Sequence, residues 1–462
     1  MNSENNKSVN TTLTLKNKIT YGVGAVGMDM SYGLCFSFFM KYCTDVLLVS
    51  SVFLGVMIAL ARVWDGISDP MGGTIFNNTK SRYGRFRPWM LIGGVTNAAV
   101  LFFMFFNPGF TVGGGRNIGL YAYITAMYVL WGLTMTSLDI PFWSFIPTLT
   151  SDLNERNVVS AIARFFSGLG QLTVMGATPL VLSKFAADRQ GEGFTLIAAC
   201  LGGMVIITTL VTVLTTRERI TPKKPEKISF RETVKVLRGN DQLLVFLAVI
   251  ILFNMGWYLM NSLAAYFFDY VIDVPGKDTY FTLFAAVSGV SQAAGLALMS
   301  PLAKRFGKQK VFKGGIIAAV LGYMALLFIS TRSSVNMPVF FVFDAIACLG
   351  IGCVFTAQMS MFADLVDYGE FRLGKRTESI VYSMKSFQMK FAQMIQALIV
   401  GLGLALFGYQ KNVYPQPASG KTGIVLMMFL IPPVLAIFSY VLFARKYKLH
   451  SEYLEEVAAA VR

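Results

Sequence analysis

The sequence predicts an all-α membrane protein, with twelve transmembrane helices in two six-helix, pseudo-symmetric bundles. Three observations carry that prediction. Of the 462 residues, 55% are hydrophobic and only 14% charged, whereas soluble domains carry about 25% charged residues. The apolar residues gather into long runs, such as 193–215, 243–263 and 423–444, and a helix needs roughly 20 apolar residues to cross a bilayer. A charged, proline-bearing stretch at 216–240 then divides the chain into two blocks that share short motifs.

Taken in order, the expected spans are 19–45, 52–77, 88–108, 117–149, 158–184 and 193–215 in a first bundle covering 19–215. A second bundle over 241–447 holds 241–272, 279–301, 311–330, 337–366, 377–408 and 423–447. The tails are 1–18 and 448–462, and 216–240 reads as a loop. Ser81-Arg-Tyr-Gly-Arg-Phe-Arg after the second span parallels Lys304-Arg-Phe-Gly-Lys-Gln-Lys after the eighth. Asn157-Val-Val-Ser-Ala-Ile-Ala-Arg164 opens the fifth span as Glu378-Ser-Ile-Val-Tyr-Ser-Met-Lys385 opens the eleventh, and both offsets are a little over 220 residues. Repeated six-span halves are characteristic of secondary transporters that bind substrate between the halves.

The net charge of +15 does not imply a nucleic-acid partner, because the basic residues cluster in alternate loops. These groups are Lys80 to Arg87, Arg217 to Arg238, Lys304 to Lys313, Arg372 to Arg376, and Arg445 to Lys448. Positive loops stay cytoplasmic, so both termini and the central loop are expected inside. The five cysteines all fall in or beside apolar runs and read as small packing residues, without metal spacing. The N-terminus lacks an apolar signal-peptide core. His450 is the only histidine and lies in the tail, away from any histidine-based chemistry.

Gly22-Val-Gly-Ala-Val-Gly27 fits a dinucleotide fingerprint, but no strand precedes it. It reads instead as small residues that let helices approach closely. The second span carries Asp65 and Asp69 four apart, with Arg62 three before Asp65 and Ser68 between them, all on or near one face. A carboxylate at the bilayer centre costs roughly 2.5–3.5 kcal/mol and so faces a partner or a wet cavity. One cation against two carboxylates suggests a negative pocket for a small cation.

Asp29 lies in the first span, and Asp139 and Trp143 share a face of the fourth. Carboxylates accept hydrogen bonds from paired hydroxyls, and an indole ring packs on the apolar face of a pyranose. Arg164 can hold such carboxylates and donate to sugar oxygens. Lys385 and Lys390 enter the eleventh span, and the deeper Lys390 is the better counter-ion for the acidic pocket. Asp364, Asp367 and Glu370, near Arg372, Lys375 and Arg376, read as a cytoplasmic gate of ion pairs. Asp269 and Asp344 have no evident role.

These residues together resemble the glycoside–pentoside–hexuronide:cation symporter family of the major facilitator superfamily, over essentially the whole chain. The resemblance rests on Gly27-Met-Asp29, Ala61-Arg-Val-Trp-Asp-Gly-Ile-Ser-Asp-Pro70, Arg82-Tyr-Gly-Arg-Phe-Arg-Pro-Trp89, Asp139-Ile-Pro-Phe-Trp143, Ala163-Arg-Phe-Phe166 and Ala363-Asp-Leu-Val-Asp-Tyr-Gly-Glu370. It is strongest toward the melibiose-transporting members. It implies the major facilitator fold, cation carboxylates at Asp65 and Asp69 with Thr136 contributing, and galactoside contacts from Asp29, Asp139, Trp143 and Arg164. It also ties Lys390 to the cation site. Two positions depart: Ser68 stands where those members have asparagine, and Met28 where they have lysine. The first bears on the choice among Na⁺, Li⁺ and H⁺, the second on which glycoside fits.

The expectation is therefore a symporter, not an enzyme, in the bacterial inner membrane. It would couple Na⁺ (or Li⁺ or H⁺), bound at Asp65 and Asp69, to uptake of a galactoside such as melibiose by alternating access. The alternative is a proton-coupled member for another glycoside, a pentoside, a hexuronide or a sulfonated sugar. No other cofactor is expected, and the partners are the glycoside, the cation and membrane lipids, with the protein working as a monomer. An embedded enzyme would need nucleophile, base or metal groups at a suitable spacing, and a sensor would need a signalling domain.

Overall fold

The computed structural model describes residues 13–449 apart from 108, 110–116, 151, 187–188, 219–229, 333–334, 376–377 and 412, together with 453, 456 and 457. Most of both tails, much of the 216–240 segment, Arg376 and His450 lie outside the described residues.

The first bundle comprises α1 (Leu15–Lys41), α2 (Ser51–Asn78), α3 (Arg87–Met104), α4 (Ile118–Leu149), α5 (Leu153–Leu182) and α6 (Gln190–Thr215). A short α7 (Phe230–Gly239) precedes the second bundle of α8 (Asp241–Tyr270), α9 (Lys277–Phe306), α10 (Lys308–Ser330), α11 (Met337–Leu373) and α12 (Glu378–Leu406). Its last span is split into α13 (Ala418–Phe429) and α14 (Ile431–Lys446). Eleven stretches among the described residues are long and apolar enough to cross a membrane, with α13 and α14 forming one of them. The eighteen-residue α3, packed between α4 and α6, brings the spans to twelve.

Capping and turn chemistry set several boundaries. Asn117, Asn240 and Asn336 each accept a bond from the backbone N–H three residues on, opening α4, α8 and α11. Gly84 and Gly307 occupy matching places in the two repeated basic motifs, and both adopt positive φ, 100° and 86°. A β-carbon would be strained at either position, so the repeat in sequence is also a repeat in backbone. Glu218 clasps the first of these loops, accepting from the Arg85 and Phe86 amides at 2.6 and 2.8 Å.

Two expectations change. Within 216–240 the chain forms α7, which packs against α8 and α11, where a plain loop was expected. The twelfth span is interrupted at Leu430, because Pro432 and Pro433 cannot donate the bonds that would continue α13.

The glycines of Gly22-Val-Gly-Ala-Val-Gly27 are contact points. A β-carbon on Gly24 would fall 2.3 Å from Thr212 Oγ1, and one on Gly27 would fall 2.7 Å from Val205 Cα on α6. Gly27→Val should therefore separate α1 from α6. The expected loss is at least about 1–3 kcal/mol, read as a fall in the melting temperature of purified protein; an unchanged temperature would refute the close crossing.

The bundles meet along α2 with α12, α5 with α9, and α1 with α8. At the first seam the backbones nearly touch, since a β-carbon on Gly401 would lie 2.7 Å from Gly55 Cα. The other joining contacts include Thr282 Oγ1 donating to Gly176 O at 2.8 Å, and the ring pairs Phe36–Tyr258 and Phe38–Phe281. All of these lie toward the face opposite the chain termini, termed here the far face.

Candidate functional site

Helix α2 places Arg62, Asp65, Ser68 and Asp69 on successive turns facing α4 and α12. Asp65 is only 8% exposed, and Arg62 Nη1 donates to its Oδ2 at 2.9 Å. Arg62 is itself fixed by the Tyr128 hydroxyl at 2.7 Å and lies over the Tyr128 and Trp131 rings. Gly132 on α4 leaves room for the carboxylate, because a β-carbon there would sit 3.1 Å from Asp65 Oδ1. Asp65 is thus closed by a cation from its own helix.

Asp69 is held differently. Thr136 of α4 donates to its Oδ1 at 2.8 Å, while Lys390 of α12 pairs with Oδ2. Lys390 also donates to the Asp65 carbonyl at 3.4 Å. Both partners of this ion pair are about a quarter exposed, with side chains at 25% and 26%. Ser68 Oγ is buried and makes no hydrogen bond among the described residues. The Asp69–Lys390 pair therefore bridges the two bundles, whereas Asp65–Arg62 stays within one.

A second group gathers beside it on α1, α4 and α5. Trp143 Nε1 donates to Asp139 Oδ1 at 2.9 Å, and Arg164 lies 5.1 Å from the centre of the Trp143 ring. Asp29 has Ser167 beside it and lies within electrostatic reach of Asp139 and Arg164. Its Oδ2 is buried without a hydrogen-bond partner among the described residues. Arg164 and Lys385 lie near each other across the cleft between α5 and α12. The arrangement offers acceptors, a donor and an aromatic face within one space.

Asp364 pairs with Lys308 of α10, in the same bundle. Asp367, Glu370 and Lys375 also have partners. Asp344 is fully buried and accepts from Ser288 Oγ at 2.7 Å.

Sequence reasoning passed over a charged cluster at the far face. Lys41, at the end of α1, lies 2.7 Å from Asp45 Oδ2 and 2.6 Å from Asp269 Oδ2 of α8. The chain turns through a π-helical segment, Tyr42–Val46, which carries Asp45 back beneath Lys41. Tyr270 donates to Asp45 at 2.8 Å, Thr44 to Asp45 at 2.8 Å, and Tyr409 bonds the same carboxylate. The Lys41 and Asp45 side chains are 6% and 5% exposed. The i, i+4 spacing of Lys41 and Asp45 inside an apolar run was the available signal. Together with the seams above, this cluster closes the far face.

Comparison with known proteins fits this architecture. A crystal structure of a mutant form of the nucleoside transporter NupG superposes with a TM-score of 0.68 at 14% identity, covering 92% of this chain and 100% of that one; this likeness is one of fold. The putative glycoside/cation symporter YagG of Escherichia coli (strain K12) is 28% identical over 426 residues, 92% of this chain and 90% of its own length. The isoprimeverose transporter of Lactiplantibacillus pentosus is 27% identical over 423 residues, 90% of this chain and 85% of its own. A family model described as MFS/sugar transport protein matches residues 20–451. With twelve spans and nearly its whole length matched, the chain belongs to the MFS/sugar transport protein family.

Proposed function

We propose that this transporter carries a glycoside and a proton together across the bacterial inner membrane by alternating access, with residues 19–215 and 241–447 as the moving halves. Cation-coupled uptake of a sugar-like molecule accords with the family and with the relatives' names. The observation that carries the finer reading is the Asp69–Lys390 pair between α2 and α12. A cation arriving at Asp69 displaces Lys390 and removes a bond that joins the halves, so ion occupancy and domain movement are linked. Asp65 cannot play this part, being neutralised by Arg62 on its own helix.

The proton is preferred because departure of Lys390 frees one Asp69 oxygen while Thr136 still engages the other. A proton needs one oxygen, whereas Na⁺ needs several at once. The glycoside is held by Asp29 and Asp139 as acceptors, Arg164 as donor and Trp143 as the aromatic floor. Met28 in place of lysine and an isoprimeverose-carrying relative favour a glycoside other than melibiose. The distribution of basic loops argues for both termini in the cytoplasm, which makes the far face extracellular. The protein acts as a monomer among its lipids.

One observation favours the Na⁺ and melibiose reading instead. Ser68 Oγ is buried without a hydrogen-bond partner beside Asp69 and could complete an oxygen shell with Thr136. Counterflow into proteoliposomes against a panel of glycosides, with Na⁺, Li⁺ and pH varied separately, separates the two. Accumulation driven by a pH gradient without Na⁺ is expected; strict dependence on Na⁺ would reverse the choice. Because coupling is reciprocal, the glycoside must also tighten cation binding by the factor that the cation tightens glycoside binding. Equal cation affinity with and without glycoside would reject symport.

A further inference from the structure

We infer that Gln393 of α12 is a substrate-recognising residue contributed by the second bundle, and that the Tyr32 hydroxyl occupies its donor site when the far face is closed. The inference rests on the glycoside reading above and extends it to a residue outside the groups already described.

Gln393 is 5% exposed, and its Nε2 donates to the Tyr32 hydroxyl of α1 at 2.5 Å, across the boundary between the bundles. Both residues stand three positions beyond members of the site, Gln393 after Lys390 and Tyr32 after Asp29, so each lies on the same helical face one turn toward the far face. Tyr32 is within electrostatic reach of Asp29, Asp139 and Arg62, which places the bond close to the glycoside group and to Arg62 of α2. The Tyr258 hydroxyl lies beside the same amide. A small cavity lined by Arg62, Tyr128, Ser262, Gln393 and Gln396 adjoins it, so there is space next to the amide on the side from which an extracellular ligand arrives.

The chemistry follows from the parting of the halves. When α1 moves away from α12 to open the far face, Tyr32 leaves, and of the two Gln393 N–H donors only one keeps a hydroxyl beside it, that of Tyr258 on α8 of the same bundle. A buried N–H without a partner is unfavourable. A sugar hydroxyl is chemically the same acceptor as the departing phenol, and the amide oxygen can accept from a neighbouring hydroxyl in turn. Substrate thereby replaces an internal hydroxyl, and closing the far face returns Tyr32 to Gln393 as the sugar leaves toward the cytoplasm. A carboxamide suits this exchange because it recognises hydroxyls without adding charge to a cleft whose charges are already matched.

The test uses full-length protein in proteoliposomes with methyl glycosides of galactose, glucose and xylose and their monodeoxy analogues, read as apparent affinity in counterflow. Wild type should discriminate against one monodeoxy analogue by about tenfold. Gln393→Ala, or the size-matched Gln393→Met should the smaller variant misfold, should erase that one discrimination while keeping the ranking of the others. Tyr32→Phe, which removes the competing hydroxyl, should tighten the parent glycoside several-fold. Uniform weakening of all analogues by the Gln393 variants, or unchanged discrimination, overturns the inference and leaves the glycoside reading intact. A wild-type protein that moves no glycoside of the panel overturns both.

Discussion

Lys41→Met is expected to unseal the far face and to cost about 3–5 kcal/mol of the closed state, the usual effect of removing one partner from a buried ion pair. The ammonium bridges Asp45 and Asp269, one from each bundle, and is almost wholly buried. Methionine keeps the length of the side chain and removes only the charge, leaving two nearby carboxylates without their shared cation, although Asp45 keeps its bonds from Tyr270, Thr44 and Tyr409. Cys43 is a built-in reporter, fully buried two residues away. Its maleimide labelling, resolved by mass spectrometry, should accelerate by two orders of magnitude or more, since about 1.4 kcal/mol corresponds to tenfold. Tyr409→Phe removes one hydrogen bond to Asp45 and should have a smaller effect, about tenfold. Labelling of Cys43 in Lys41→Met at the wild-type rate would show that the cluster does not hold this face closed.

Asp69→Asn should abolish concentrative uptake while preserving exchange of glycoside down its gradient. The amide can still bond Thr136, but it neither binds a proton at physiological pH nor pairs with Lys390. Coupling energies between two ligands are typically about 1–3 kcal/mol, or roughly 5–150-fold in affinity, and all of that enhancement should vanish. Asp29, Asp139, Trp143 and Arg164 are untouched, so glycoside binding itself should persist. Fluorescence quenching of Trp143 by glycoside would report that binding, and counterflow would report the retained exchange. Undiminished cation-driven accumulation in Asp69→Asn would remove Asp69 from the mechanism.

The fold was largely legible because each span announces itself locally as an apolar run, with asparagine opening α4, α8 and α11. Helix α7 was not, because Arg231, Glu232, Lys235 and Arg238 disguise its few apolar positions, Phe230, Val234, Val236 and Leu237. The break at Leu430 was visible in principle, since two adjacent prolines stand just after it. The site was legible where it is charged: a carboxylate or guanidinium in an oily helix declares an unusual surrounding. Sequence could propose Lys390 as a counter-ion, yet only the fold separates Asp69, paired across the bundles, from Asp65, paired within its helix. Gln393 was invisible for a physical reason, since an uncharged amide in a span costs too little to stand out. Lys41 and Asp45 carried a clear local signal, but their meaning depends on Asp269, more than two hundred residues away in sequence.

While the far face stays closed, the near-contact of Gly55 with Gly401 gives the α2–α12 seam the character of a fulcrum. Two helices touching through bare backbone can tilt without unmeshing side chains. Asp69 lies fourteen residues along α2 from that point, about 21 Å at 1.5 Å per residue. Each degree of relative tilt then displaces its carboxylate by about 0.4 Å, on the same helical geometry. A swing of about 8° is enough to move the Asp69 carboxylate about 3 Å from the Lys390 ammonium, so the leverage built into one glycine crossing turns a slight rotation into a broken electrical contact.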